Sequence, residues 1–258
     1  MSKEPGIFEL DKIKSLHDEM NRVDEEIPIW LPLAGPILAV IGFIVFLITM
    51  ISVPMAGPGA ALGGLGMFLF LSFIGAILQL YLVYKWLDVI NNHFDRVRRL
   101  FKELSRYLEA RGYKDLGRRV ADDISDTEYK FGGEKSPVLW AILVFLIPIL
   151  IWYVLHVVNK SLSKVGYGEY SILQRIDTLV KDLGLDVRPP DYKKFRDIPD
   201  RNTILYIVLS IITLGLFQIY WAYAVTKDIN EHFRVHRLEE ANLINCIENI
   251  PVSSEGGS

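Results

Sequence analysis

The sequence has almost no cysteine, since Cys246 is the only one among 258 residues. A single thiol excludes an intramolecular disulfide framework and a zinc site built from several cysteines. The chain also lacks a basic excess: 28 Lys and Arg stand against 31 Asp and Glu, for a formal net charge of -3. Proteins that bind nucleic acid usually carry a strongly basic face, so we expect no nucleic-acid partner.

Motifs with known chemistry are missing too. There is no HExxH, CxxC, GxSxG or Walker-type sequence, and so no mark of the metalloprotease, thiol-redox, hydrolase or nucleotide sites that these patterns indicate. The glycine-rich stretches at 57–66 and 132–133 lack the strand–loop–helix context that phosphate binding needs. We predict a protein that is not an enzyme, with no catalytic residue, no cofactor and no metal ion.

Long apolar runs dominate what is present. Soluble cores rarely need several runs that each approach or exceed the roughly 20 residues crossing about 30 Å of hydrocarbon. Little amphipathic helix remains here to cover such runs. We therefore predict an all-α integral membrane protein whose main partner is the lipid bilayer. The uncharged runs are residues 29–53, 67–83, 138–158 and 203–226.

A repeated motif follows three of these runs. The pattern Y-x2-Y-x5-I-N-x-H-F occurs twice, with a worn copy between, and each copy closes an apolar run and opens a charged one. We expect each asparagine to cap or bind a neighbouring backbone and each histidine to anchor at the headgroup level. A metal or proton site formed by the two histidines is the alternative. The motif residues are Tyr81, Tyr84, Asn91, His93 and Phe94, then Asn159, then Tyr220, Tyr223, Asn230, His232 and Phe233.

Changes in composition divide the chain into seven segments. The fold that we expect is a pseudo-repeat of helical hairpins, each followed by a cytosolic amphipathic helix. The segments are a cytosolic amphipathic helix at 1–28, a transmembrane hairpin at 29–90 with its turn at 54–66, a basic cytosolic helical segment at 91–135, a second membrane unit at 136–162, a cytosolic helix and linker at 163–201, a third membrane unit at 202–233, and a short C-terminal cytosolic helix and tail at 234–258.

Basic residues orient this arrangement. Arg96, Arg98, Arg99 and Lys102 follow the second predicted span, where positive charge favours the cytoplasmic side and attracts anionic lipid headgroups. We therefore expect a multi-pass protein of the cytoplasmic membrane with both termini in the cytoplasm.

The two later runs have two interpretations. If 138–158 spans once, the loop 159–201 and its nine Lys and Arg lie outside, against the charge rule. If each run is a re-entrant hairpin broken at Pro148 or Gly215, both flanks stay cytoplasmic, and arms of about ten residues reach about 15 Å. Single spans stay open as well, because membrane helices tolerate Pro and Gly while exposed turns in hydrocarbon are costly.

The third membrane unit resembles an uncharacterised family of small prokaryotic membrane domains. The shared signature is T-L-G-x-[FY]-x-x-Y-W, and the resemblance covers about residues 201–240. That family has no assigned activity, so the resemblance implies membrane location and no chemistry. The residues that carry it are Thr213, Leu214, Gly215, Phe217, Tyr220 and Trp221, with Asn230 following.

Two functions fit these features. Shallow hairpins and amphipathic helices displace lipid in one leaflet, which favours a non-enzymatic scaffold or membrane-shaping protein. Pseudo-repeats with broken helices are also typical of transport folds, so the alternative is a subunit of a transporter, channel or membrane complex, as a homo-oligomer or with another membrane protein. A lipid-modifying enzyme using His93 and His232 is a third hypothesis, although the sequence suggests no substrate.

Overall fold

A computed structural model describes residues 5–253, apart from the side chain of Ala56. Within that range the chain forms nine α-helices and no β-strand, which confirms the all-helical fold. The helices are α1 (Ile7–Val23), α2 (Leu31–Ala56), α3 (Pro58–Ala110), α4 (Lys114–Phe131), α5 (Pro137–Leu146), α6 (Leu150–Asp182), α7 (Lys193–Arg196), α8 (Thr203–Ile212) and α9 (Leu216–Glu248).

A single residue, Gly57, connects α2 to α3. Its φ of 79° lies in the left-handed region, which glycine adopts without strain. Pro58 then opens α3, and proline suits that position because the first amides of a helix have no intrahelical partner. The predicted turn at 54–66 is therefore wrong, since all its other residues extend the two helices.

Small residues allow α2 and α3 to pack closely as an antiparallel pair. A Cβ atom on Gly75 would lie 2.9 Å from the carbonyl oxygen of Gly35, and one on Gly64 would lie 1.7 Å from Oγ1 of Thr49. A Cβ on Gly63 would meet no atom within 4 Å. Helix packing therefore requires glycine at some of these positions and not at others.

The start of α2 shows how a helix accommodates its prolines. The helix begins at Leu31 and includes Pro32 and Pro36. Pro36 has no amide hydrogen for the carbonyl oxygen of Pro32, and the Nε2 of Gln79 on α3 donates to that oxygen at 3.3 Å.

The two later apolar runs break at the predicted residues. α5 and α6 meet around Pro148, and α8 and α9 meet around Gly215. At the second break Leu214 has a φ of 51° and Gly215 a φ of 93°. The chain reverses there, since the ring of Tyr206 on α8 lies 5.3 Å from that of Trp221 on α9. α8 therefore lies back along α9.

The same reversal occurs at the first break. The ring of Trp140 on α5 stacks on that of Tyr153 on α6, with centroids 4.8 Å apart. Further from the break, the Nζ of Lys164 donates to the carbonyl oxygen of Lys130, which precedes α5. Both ends of this unit therefore lie at the same level of the molecule.

Three helices continue unbroken from the apolar end to the polar end. α3 has 53 residues, and α6 and α9 have 33 each. The predicted boundaries at 90–91, 162–163 and 233–234 fall inside these helices, and the separate short helix predicted for 234–258 is the second half of α9. No proline lies beyond the first turn of these helices, so a change from apolar to charged side chains leaves the backbone hydrogen bonds intact.

Buried apolar side chains form two cores at successive levels. The first includes Trp86 and Trp221 and reaches as far as Phe94 along α3. The second begins at Val97 and joins α1, α4 and the distal halves of α3, α6 and α9. Polar side chains that face inward where the two cores meet are consequently enclosed by both cores.

Two helices, Leu31–Met55 and Pro58–Ala110, are long and apolar enough to cross a membrane. Only 6% and 11% of their most apolar windows are buried within the protein. Large apolar side chains are also exposed at the second break, where Leu214 is 95% exposed. One end of the molecule therefore presents an apolar surface.

Candidate functional site: a buried histidine and carboxylate cluster

The two repeated histidines meet inside the protein. His93 on α3 and His232 on α9 are 2% and 3% exposed, and their Nε2 atoms lie 3.2 Å apart. His236 lies one turn further along α9 and shares a face with His232, because residues four apart on a helix are neighbours. Glu169 on α6 completes the group, which we call the histidine cluster, with Oε1 3.0 Å from His236 Nε2.

The prediction that His93 and His232 anchor at the headgroup level is wrong. Both side chains lie between the two apolar cores and have almost no exposed surface. The physical reason is the reach of α1, α4 and α7 around the distal halves of the long helices. These short helices cover the part of the long helices that the composition alone places at the membrane interface.

Two further carboxylates contact the outer nitrogens of the histidine cluster. Oδ1 of Asp24 lies 3.0 Å from Nδ1 of His93, and Oε2 of Glu240 lies 3.4 Å from Nδ1 of His236. Arg96 bridges these two acids, with Nη2 donating to Asp24 at 2.8 Å and Nη1 to Glu240 at 2.9 Å. The outer acids are therefore held by a guanidinium as well as by imidazoles.

Arg96 is fully buried, so the prediction that it contacts lipid headgroups is wrong. It lies three residues after His93 and shares its inward face. The other predicted headgroup residues are partly exposed, and each already has an acidic neighbour: Arg98 pairs with Asp95 and Glu128, Arg99 with Glu19 and Asp95, and Lys102 with Glu128. A headgroup role for these three residues stays a prediction.

The buried acids of the site are held in their charged form. Burial opposes ionisation of Glu169, but the neighbouring histidines, His236 foremost, hold the pKa of its carboxyl well below the ordinary value. Burial likewise opposes ionisation of Asp24, and His93 with Arg96 lowers its pKa. Both groups are carboxylates at neutral pH.

The two histidines of α9 are driven in opposite directions. Burial disfavours the imidazolium of His236, yet Glu169 and Glu240 raise its pKa to about 9. Burial lowers the pKa of His232 to about 3, because Glu169 only partly offsets it and the other histidines oppose a further positive charge. In the absence of a bound cation, the surroundings of His236 therefore favour its protonated form and those of His232 its neutral form.

Each repeated asparagine binds the backbone of the segment that leads into an apolar unit. Asn91 ends the first unit and binds the entry of the second, Asn159 ends the second and binds the entry of the third, and Asn230 ends the third and binds the entry of the first. The contacts form a closed ring. They run from Nδ2 of Asn91 to the carbonyl oxygen of Lys135 at 2.8 Å, from Asn159 to that of Pro199 at 3.0 Å, and from Asn230 to that of Ile27 at 2.8 Å.

The aromatic motif residues divide between surface and core. Tyr81 and Tyr220 occupy equivalent repeat positions and are about half exposed, at 50% and 52%. Phe94, Trp221 and Phe233 are buried, whereas Tyr84 and Tyr223 are partly buried.

Thr213 connects the two arms at the T-L-G bend. Its Oγ1 donates to the carbonyl oxygen of Leu209 on α8 and accepts the amide of Phe217 on α9 at 2.9 Å. The threonine of the signature therefore satisfies the amide of Phe217, one of the first amides of α9, which have no intrahelical partner.

Sequence reasoning missed His236, Glu169, Asp24 and Glu240. Two of them carried a signal. His236 follows His232 by four residues, and Glu169 places an acid on the apolar stripe of an amphipathic helix. Neither signal indicates that α6 and α9 bring these residues to His93.

Residues 201–246 match a family described as a domain of unknown function (DUF4234). No curated protein and no solved structure matches the chain. The matched segment holds the T-L-G bend, His232 and His236, whereas His93 and Glu169 lie outside it. The complete histidine cluster therefore depends on parts of the chain that the family does not cover.

Proposed function

We propose that this protein is a multi-pass protein of the cytoplasmic membrane that shapes or scaffolds the bilayer with three hairpins inserted from the cytosolic side. The ring of asparagine contacts carries the proposal, because it ties the exit of each unit to the entry of another. Entries and exits then lie at one level. Single spans for the second and third units would place their ends on opposite sides of the bilayer.

The lengths of the helices give the hairpins different depths. The 26 residues of α2 extend about 39 Å at 1.5 Å per residue, enough for the roughly 30 Å of hydrocarbon. α5 and α8 have 10 residues each and extend only about 15 Å. The first hairpin therefore crosses the bilayer, and the other two reach about its middle.

The exposed apolar surface supports this placement. Ile51, Ile212, Leu214 and Leu216 lie near the connections at the far ends of the hairpins and are each at least 70% exposed. A surface of this kind is typical of contact with a membrane or another protein. The polar ends of the same helices pack around the histidine cluster instead.

The charge distribution orients the protein. Basic residues in 91–135 and 159–201 favour the cytoplasmic side, and both segments pack against the distal halves of the long helices. We place both termini in the cytoplasm for the same reason, with Arg98, Arg99 and Lys102 facing anionic headgroups.

Two half-depth hairpins add volume to one leaflet without adding it to the other. Such an asymmetry curves a bilayer so that the expanded leaflet is convex. Association into homo-oligomers would add the curvature produced by each chain. The proposed function needs no substrate and no catalytic group.

Liposome remodelling tests this role. We expect the reconstituted wild-type protein to convert spherical liposomes to tubules or small vesicles, as seen by electron microscopy. Replacing both Leu214 and Leu216 by Glu places charge at the end of the third hairpin, where it opposes insertion, and should abolish remodelling. Leu238→Glu is the matched control, because Leu238 is 52% exposed on the polar half of α9. Unchanged liposomes at high density of wild-type protein would overturn the membrane-shaping role.

A transporter, channel or complex subunit is the second candidate, favoured by a cavity between the first hairpin and the other two. The cavity has a volume of about 480 Å³, and Gln79 and Gln218 contribute polar groups to its largely apolar wall. A solute or a partner helix could occupy it. Flux into proteoliposomes that Gln218→Leu removes, or a stoichiometric partner on purification, would favour this function, and neither result is expected for a membrane-shaping protein.

A further inference from the structure

We propose that His93, Glu169, His232 and His236 bind one divalent transition-metal ion, and that this ion is structural. One ligand atom from each of the four side chains lies within 4.8 Å of those of the other three. All four side chains are buried. The inference goes beyond the membrane role and does not depend on how deeply any hairpin inserts.

The spacing of the ligand atoms fits tetrahedral coordination. Nε2 of His93 lies 3.2 Å from Nε2 of His232 and 3.7 Å from Oε1 of Glu169. Oε2 of Glu169 lies 3.4 Å from Nε2 of His232, and Oε1 of Glu169 lies 3.0 Å from Nε2 of His236. Ligands bound at about 2.1 Å in a tetrahedron lie about 3.4 Å apart; these four distances bracket that value, and the remaining ligand–ligand distances are at most 4.8 Å, so a small inward movement of the side chains would complete the tetrahedron.

The hydrogen-bonding pattern is also that of a metal site. Neither carboxylate oxygen of Glu169 nor the Nε2 of His236 has a hydrogen bond of acceptable alignment among the described residues. Buried polar groups are otherwise nearly always paired. A cation between these atoms would satisfy the Nε2 of His236 and one carboxylate oxygen of Glu169.

The outer contacts of the histidines support the same conclusion. Metal-binding histidines almost always donate their second ring N–H to a carboxylate, carbonyl or water. His236 directs Nε2 inward and Nδ1 to Glu240, in a hydrogen bond of 3.4 Å, and His93 directs Nδ1 toward Asp24 at 3.0 Å, a contact without hydrogen-bond alignment. Asp24 and Glu240 are therefore positioning residues for the ligands.

A divalent ion balances the buried charge. Three carboxylates, those of Asp24, Glu169 and Glu240, face one guanidinium, that of Arg96, and Glu240 also contacts the imidazole of His17 at 3.2 Å. With every imidazole neutral, two negative charges remain. One divalent cation with three neutral imidazoles cancels them. Protons shared among the histidines are the competing way to balance the charge, and the two possibilities make different predictions.

The donor set selects the class of metal. Three imidazole nitrogens and one carboxylate suit Zn²⁺, Fe²⁺, Co²⁺ or Ni²⁺, whereas Mg²⁺ and Ca²⁺ prefer oxygen ligands throughout. The ligands are enclosed by protein on every side, as is usual for structural rather than catalytic sites. They come from α3, α6 and α9, so the ion would join the helices that leave all three membrane units.

Cobalt binding tests the site in the full-length protein, purified in detergent and treated with a chelator. We expect titration with Co²⁺ to give one bound ion per chain, visible d–d absorption typical of four-coordinate cobalt, and a higher melting temperature than in chelator. Zn²⁺ should displace the cobalt and remove the colour.

Variants distinguish ligands from neighbours. His232→Gln should abolish the cobalt absorption, whereas His156→Gln should leave it unchanged, because His156 lies outside the cluster and bonds Thr203. Asp24→Asn should lower the affinity about 10–100-fold, as loss of a carboxylate behind a ligand usually does, and keep the absorption band.

The wild-type titration decides the question even if a variant fails to fold. Absence of bound Co²⁺ and Zn²⁺, together with equal melting temperatures in metal and in chelator, would overturn the proposal in favour of a proton-balanced cluster. Unchanged cobalt absorption in a folded His232→Gln variant would overturn it as well. Failure here leaves the membrane-shaping role standing, since that role is measured on liposomes.

Discussion

Asn230 joins two parts of the chain that are 203 residues apart. Its side chain accepts the amide of Ile27 at 2.9 Å and donates to the carbonyl oxygen of Ile27 at 2.8 Å. Asn230→Ala leaves both buried backbone groups unpaired, and each such group costs about 1–3 kcal/mol. We expect a clear loss of unfolding free energy, measured by denaturant titration in detergent.

Asn92→Ala is the matched control for that measurement. Asn92 is exposed, and among the described residues its side chain bonds only Asp88, at 3.3 Å, so its loss should change stability by no more than about 0.5 kcal/mol. Equal effects of the two substitutions would contradict a structural role for Asn230.

Arg96 provides a second prediction for a single side chain. Arg96→Met leaves Asp24 and Glu240 buried without their guanidinium, and breaking a buried ion pair typically costs about 3–5 kcal/mol. Arg99→Met removes an exposed guanidinium, for which about 0–1 kcal/mol is usual. Thermal unfolding of both variants should separate them widely. A loss for Arg99→Met as large as that for Arg96→Met would mean that burial does not set the cost.

The bends between helices depend on the backbone conformation of single residues. Gly215 has a φ of 93°, and a Cβ atom in the left-handed region costs about 1–2 kcal/mol. We expect Gly215→Ala to lower the melting temperature in detergent. Gly63 lies inside α3, and beyond the adjacent backbone of that helix no atom of the described residues lies within 4 Å of an added Cβ, so Gly63→Ala should be neutral or stabilising by up to about 1 kcal/mol. A neutral Gly215→Ala variant would show that the bend does not require glycine.

The sequence predicts the breaks at Pro148 and Gly215, because a break in a helix depends on local properties of the backbone. It failed on the turn at 54–66, where composition suggests a loop but Gly57 alone reverses the chain. That tight connection depends on close packing of α2 against α3 through Gly35, Gly64 and Gly75, which is a tertiary property.

For the whole molecule, the sequence indicates the apolar runs and the repeat, but it does not indicate which residues connect one unit to another. The repeated asparagines stand out in the sequence, but they bind backbone groups of Ile27, Lys135 and Pro199, and such groups carry no side-chain signal. His93 and Glu169 likewise meet only because α3, α6 and α9 pack together. Burial of the histidines was mispredicted because the short helices that cover them have no counterpart in a repeat pattern.

The proposed entry of all three units into the membrane from the same side can be tested by impermeant-maleimide labelling of single cysteines. The background is Cys246→Ser, which removes the only native thiol, a buried one. Reporter cysteines replace Gly59 beyond the first hairpin turn and the exposed residues Ser125 and Thr178. In right-side-out vesicles we predict labelling at position 59 alone, with labelling at 125 and 178 restored by permeabilisation. Labelling at 178 with protection at 125 would mean four ordinary spans and would contradict entry of the three units from the same side.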